Sequence, residues 1–358
     1  MIRRGAPAAL IGLAALVPLA VGAHSSALDD LTVAAAYVVM ALGLNVVVGY
    51  AGLLDLGFVA FVAIGAYTAA YFASGFWDNA GGGHGIAILV SGPASQLRGI
   101  HVAFLVVLVL AVLATTIAGA VIGLPTLRLR GDYVAIVTLA FGEIIGRVAA
   151  NGADVHVLGG TLTAGPNNIG PLDRIDLPFL KPFSTVDPRP WYWFALGLVA
   201  LALVVNVRLR GSRVGRAWTA LRDDESAAAA AGVPIARTKL VAYATGAAFG
   251  GVAGAFIASY FSAVNAGQFE FSLSLFVLSM VVLGGLGSLR GVVAGAVALS
   301  LVNTYLLPDV LYSLPRKIGL AFDFPAIASG VYGAIVLVVM LLRPGGLFPP
   351  DRRPTWTR

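Results

Sequence analysis

Apolar runs of about 20 residues recur along this chain, and each is long enough to cross the roughly 30 Å hydrocarbon core of a bilayer as a helix. The windows fall at 7–23, 31–49, 54–74, 102–124, 133–150, 191–207, 239–262, 273–286, 291–307 and 325–342. They predict an all-α, polytopic membrane protein of about ten transmembrane helices, one membrane domain over residues 1–358. The runs are continuous rather than alternating, which excludes a β-barrel. With 59% hydrophobic and 11% charged residues in 358, a soluble domain is excluded as well. The 44 glycines and 18 prolines suit helices that pack closely or break. Two windows carry two readings each. Residues 7–23 follow Arg3 and Arg4 and precede Ser25, Ser26 and Ala27, so the run is a first span or a cleaved signal peptide. Residues 273–286 are short and separated from the next run only by Gly287 to Arg290, so they span or re-enter.

With the N-terminus in the cytoplasm, 16 of the 23 Lys and Arg residues fall on the cytoplasmic side, which by the positive-inside rule keeps both termini there. The cytoplasmic loop 208–238 and its edge hold seven of them, from Arg208 to Lys239. The net charge of +6 therefore follows from orientation, and no nucleic-acid partner is expected. The extracytoplasmic loop 151–190 is rich in Gly, Pro, Asn and Asp and reads as an ordered loop of turns. Within it Gly165, Pro166, Asn167 and Asn168 form a turn that presents polar groups outward, as a contact for another protein needs.

In the cytoplasmic loop, Asp223 or Asp224 as N-cap, Glu225 in the first turn, Gly232 after the last turn and Pro234 beyond predict a short helix. Its face is five alanines, Ala227 to Ala231, small enough to let a backbone sit deep in a cleft of another protein. Arg216, Arg222, Asp224 and Glu225 form a charged rim. The competing reading, a helix resting on lipid, needs a bulky apolar face that only Trp218 and Leu221 begin to supply. Two glycine rows, Gly246, Gly250, Gly254 and Gly287, Gly291, Gly295, read as helix-packing surfaces.

Polar residues within the apolar runs are few: Asn45, Asp55, Glu143 and Asn303. Glu143 is the one acid near mid-span, where a carboxylate is expensive and marks a functional site by default. The alternative is a structural hydrogen bond to a helix break at Gly142 or to the hydroxyl of Thr138. The absence of a G-x-x-x-x-G-K-[ST] loop means that nothing here cradles ATP phosphates. No cysteine is available for a disulfide, a zinc site or a nucleophile. His24, His84, His101 and His156 are scattered in or beside the outer loops, which rules out a metal cluster of sequence neighbours and an intramembrane Ser–His pair.

Four blocks carry a resemblance: GLNVVVGYAGLLDLGFVAFVAIGAYTAA (43–70), LPTLRLRGDYVAIVTLAFGEIIGR (124–147), LTAGPNNIG (162–170) and GRAWTALRDDESAAAAAGVPIARTKLVAYATGAAFGGVAGA (215–255). In this order they resemble the LivM-type permeases of branched-chain amino acid ABC importers. The resemblance implies a bacterial cytoplasmic-membrane subunit, not an enzyme, paired with a homologous LivH-type permease. It also implies two cytoplasmic ATPase subunits, which carry the ATP and Mg, and an extracytoplasmic substrate-binding protein, with no cofactor in this chain. The segment 215–238 would contact the ATPase through Arg222, Asp223, Asp224, Glu225, Ala228 and Gly232, similar to the EAA motif of ABC permeases, although the I-x-L-P that ends that motif is absent. Relatives with the same architecture import urea or short amides. The other class of reading, an ion-coupled secondary transporter, calls for polar groups at the midplane, where only Glu143 and Asn45 fit.

Overall fold

The apolar runs fold as helices, with breaks that hydropathy does not show. The computed structural model describes residues 26–78, 85–90, 98–129, 131–157, 160–176, 183–184 and 187–304, with Pro18 and scattered positions between 333 and 348. The expected spans at 7–23 and 325–342 lie almost wholly outside the described residues. In chain order the helices are α1 Ser26–Asn45, α2 Val59–Phe72, α3 Phe104–Thr126, α4 Asp132–Asn151, α5 Arg189–Gly211, α6 Arg213–Asp223, α7 Glu225–Ala230, α8 Ile235–Phe261, α9 Phe271–Gly284 and α10 Leu289–Leu301. A π-helical turn, Val46–Tyr50, continues α1. Among the described residues, α1 with its extension, α3, α4, α5 and α8 are long and apolar enough to cross a membrane, while α2, α9 and α10 are apolar but shorter. The 14 residues of α9 rise about 21 Å, less than a hydrocarbon core. Gly285 (φ +111°) and Gly287 (φ +80°) then turn the chain into α10.

The core gathers around α8, which packs against α3 on one side and α2 and α1 on another. The first glycine row works as expected. Gly246 lies against Val47, Gly250 against Phe61 and Gly254 against the backbone of Val62, where a Cβ would collide. The second row is only partly a packing surface. Gly291 and Gly295 bring α10 onto Gly284 and Met280 of α9, but Gly287 sits in the preceding turn.

The run at 54–74 becomes helix only at Val59. Residues 51–58 are non-helical because Gly52 takes φ +70° and the Asp55 Oδ1 accepts from Gly57 N at 2.9 Å, a local bond that competes with a helical turn. Broken backbone of this kind survives in a membrane protein only inside the bundle with its polar groups answered. Here Leu56 N donates to Thr138 Oγ1 of α4 at 3.0 Å, and Val59 N donates to Ser274 Oγ of α9 at 2.9 Å.

The all-α expectation needs one amendment, since short strands stand at the end of the bundle remote from α6 and α7. β1 Ala73–Ser74, β2 Ile86–Ile88 and β3 Ile100–Val102 form a sheet in the order β1-β3-β2, with β1 antiparallel and β2 parallel to β3. β4 His156–Val157 and β5 Gly160–Thr161 pair as an antiparallel hairpin. The strands occur in linkers too short and too polar for the hydropathy windows to notice. Within them the His101 imidazole meets Asp173 Oδ2 at 2.7 Å and closes the sheet against the segment after residue 160. Burial raises the Asp173 carboxyl above its ordinary range, partly offset by the hydrogen bond and charge of His101.

Candidate functional site

At one end of the bundle α6 and α7 form a small polar layer. Ser212 caps α6 by accepting from Gly215 N at 3.2 Å, and the fully buried Trp218 donates its indole N–H to the carbonyl of Thr238 at 3.1 Å, which fastens α6 to the start of α8. The cap of α7 is Asp224, whose Oδ1 accepts from Ser226 N at 2.8 Å and Ala227 N at 2.9 Å. At the other end Val233 N donates to Ala228 O and Gly232 N to Ala229 O, both at 3.0 Å, with Gly232 at φ +83°. That pair of bonds is a Schellman stop, and the positive φ is what a glycine supplies there. Asp223 is not the cap; it lies 3.7 Å from Arg222, with both side chains exposed enough for the pair to be weak.

The orientation of α7 differs from the expected one. Ala228 points inward and is 4% exposed, whereas Ser226, Ala227, Ala229, Ala230 and Ala231 are exposed. The outward small-residue face therefore consists of Ala227 and its neighbours, and Ala228 is the residue on which the helix rests. Glu225 also turns inward in part: its Oε1 receives Lys239 Nζ at 2.9 Å, and the Lys239 side chain is 1% exposed. The same ammonium donates to the carbonyl of Leu129, at 3.4 Å, in the link between α3 and α4. One residue before the Asp pair, Arg222 donates to the carbonyl of Gly49 in the π-helical turn at 2.7 Å, and its stem packs on Gly52. A pocket bounded by Gly52, Leu129, Arg222, Glu225 and Lys239 lies between these ties. A buried ammonium needs a partner, and the pairing with Glu225 joins α7 to α8 and to the α3–α4 link at one point.

Lys239 and Gly49 did not stand out in the sequence as members of this cluster. The available signal was that Lys239 is one of three lysines in the chain and opens an apolar run, where a lone cation is out of place.

The remaining residues separate into three places. Asn45 is fully buried; its Oδ1 accepts from Gly287 N at 2.9 Å, tying α1 to the α9–α10 turn, and its Nδ2 has no partner among the described residues. Asp55 is 1% exposed and serves the break before α2, with Oδ2 unpartnered among the described residues. Glu143 is exposed on α4, and its side chain makes neither of the hydrogen bonds expected of it. The Thr138 hydroxyl accepts from Leu56 and donates to Ala135 O, while Gly142 packs on Gly57. At the far end Gly165 (φ +63°) is buried and donates to Thr163 Oγ1 at 3.1 Å, while Pro166, Asn167 and Asn168 are exposed. Asn168 Oδ1 accepts from Asn265 Nδ2 at 2.8 Å, and the adjoining Ile169 pairs with Val264, so the turn is anchored to the segment after α8.

Comparison with known proteins gives a consistent result. A family profile described as "Branched-chain amino acid transport system / permease component" matches residues 26–340. The high-affinity branched-chain amino acid transport system permease protein LivM of Escherichia coli (strain K12) is 35% identical, over 96% of this chain and 74% of that protein. The probable branched-chain amino acid transport permease protein LivM of Methanocaldococcus jannaschii is 26% identical, over 87% of this chain and 90% of the other. The E. coli LivH permease protein is 27% identical over 43% of this chain and 45% of its own length. No solved structure matches the chain.

Proposed function

Because the chain belongs to the branched-chain amino acid transport permease family, we propose that it is the LivM-type membrane subunit of an ABC importer that moves branched-chain amino acids. It pairs with a homologous LivH-type permease to enclose the pathway, receives substrate from an extracytoplasmic binding protein, and is driven by two cytoplasmic ATPase subunits that carry the ATP and Mg. The chain itself contributes no catalytic residue and no cofactor. Both termini lie in the cytoplasm, α6 and α7 face it, and the turn Gly165–Asn168 faces the binding protein.

The observation that carries this reading is the construction of α7. It is a short helix, capped at both ends, with an exposed face of small residues and an inward side held by Glu225–Lys239 and, one turn earlier, by Arg222–Gly49. A helix built only to rest on lipid would turn bulky apolar groups outward; α7 has none, and Trp218 and Leu221 of the preceding α6 are buried. Such a helix suits a protein cleft, and its ties suit the passing of a displacement into α1 and α8.

The test is reconstitution. In proteoliposomes the complete set of subunits takes up leucine with ATP and loaded binding protein, and this chain alone takes up none. Uptake by the lone chain on a sodium or proton gradient overturns the reading in favour of secondary transport.

A further inference from the structure

A groove runs along α4 where it passes the turn leading into α9, and its rim is charged. Glu143, Arg147 and Glu270 are all exposed there, and none of their side chains makes a hydrogen bond or ion pair with another described residue. Glu143 and Arg147 are four positions apart, so they stand on one face of α4 about 6 Å apart along its axis. At that spacing a Glu and an Arg are able to pair with each other, yet here they do not. The floor between them is low: the nearest atom to a Cβ placed on Gly146 is the Phe269 carbonyl oxygen, 3.5 Å away. Phe271 lines the wall towards α9. Further along α4 the same exposed face continues with Ala140 and Ile136, which are apolar.

Charges of both signs within a candidate span are expensive against hydrocarbon, so this face is turned to water or to protein. A single carboxylate would hold an amine and repel a carboxylate, but the groove offers both signs within one helical turn beside apolar walls. We propose that this groove is a transit subsite for the zwitterionic head of an α-amino acid, whose carboxylate meets Arg147 and whose ammonium lies between Glu143 and Glu270. The aliphatic side chain then lies along Phe271 and the apolar continuation of α4. The subsite rests on the importer reading, and its exposed ion pairs are individually weak, which suits a station that must release what it receives.

The test uses the assembled transporter with Ser272→Cys, since Ser272 is exposed in the groove and the chain has no other cysteine. The rate of modification by an anionic methanethiosulfonate is measured with L-leucine, with isocaproate, which lacks the ammonium, and with isoamylamine, which lacks the carboxylate. Leucine is expected to slow the modification severalfold and the two analogues are not. Adding Arg147→Gln abolishes the protection and lowers leucine uptake about tenfold, the loss of one charged contact, whereas Arg147→Lys retains part of both. Co-purification with the partner subunits identifies variants that fail to assemble, and Glu143→Gln gives a second, independent reading. Three results overturn the subsite while leaving the importer standing: wild-type uptake without leucine protection, equal protection by the analogues, or a cysteine reactive in the lone chain but covered in the complex. If the wild-type complex takes up no leucine, the importer reading fails and the subsite falls with it.

Discussion

The guanidinium of Arg222 donates to the carbonyl of Gly49 at 2.7 Å, across 173 positions of sequence. The bond joins the last turn of α6 to the π-helical end of α1, a place where the backbone ladder is already irregular and a carbonyl is free to accept. In the proposed coupling, a displacement of α7 has this tie as a second route to the rest of the bundle, separate from the Glu225–Lys239 pair.

Arg222→Ala removes this route. The ratio of binding-protein-stimulated to basal ATPase rate in the reconstituted complex is expected to fall severalfold. Arg222→Lys recovers little, because an ammonium lacks the planar fork that reaches past Gly52. A wild-type ratio in Arg222→Ala refutes the assignment.

Glu225→Ala leaves the Lys239 ammonium buried beside a single carbonyl. The expected cost is about 3 kcal/mol, the lower part of the range for a broken buried pair because Glu225 is partly exposed. Glu225→Ala combined with Lys239→Met restores most of it. Thermal unfolding of the purified subunit followed by tryptophan fluorescence reads both, and additive losses in the double variant contradict the pairing.

The two sides of α7 respond differently to bulk. Ala228→Leu overfills an inward site and destabilises the fold by about 1–3 kcal/mol. Ala230→Leu, on the exposed face, leaves the melting temperature unchanged and prevents co-purification of the ATPase. Normal ATPase binding by Ala230→Leu refutes docking through this face.

Asn168→Cys, in a chain that otherwise lacks cysteine, is expected to capture the binding protein through a short bifunctional cross-linker. Leu89→Cys, 80% exposed at the same end, is the control. Equal capture from both positions removes the case for the Gly165–Asn168 turn.

Much of this architecture is legible in the sequence because helix signals are local. The cap at Asp224, the stop at Gly232 and the spacing of Gly246, Gly250 and Gly254 each depend on neighbours within a turn or two. The break at 51–58 was hidden because Leu53, Leu54, Leu56 and Phe58 keep the hydropathy window high, although Gly52 and Gly57 were present as punctuation. The resemblance to the EAA motif singles out Ala228 by position alone, and five consecutive alanines carry no amphipathic contrast to show that it is the one that faces in. In the sequence Glu143 stands as a lone carboxylate for a related reason. Arg147 was visible four residues on, but Glu270 comes from a turn more than a hundred residues away, and only folding brings it to the same groove.

The start of α2 has a mechanical consequence. The chain is held there by one hydroxyl on α4, which accepts from Leu56 N just before the helix, and by one on α9, which accepts from Val59 N, its first residue, across 215 positions. A helix that begins at the surface is free to slide along its axis and exchange these bonds for water. α2 has no such exchange open to it, because Val59 and Thr138 are buried and Ser274 is 1% exposed. Axial travel of α2 must carry α4 and α9 with it or strand a donor in a dry interior, so the three are keyed at a common height. Movement that keeps the donors satisfied is pivoting about those two hydroxyls.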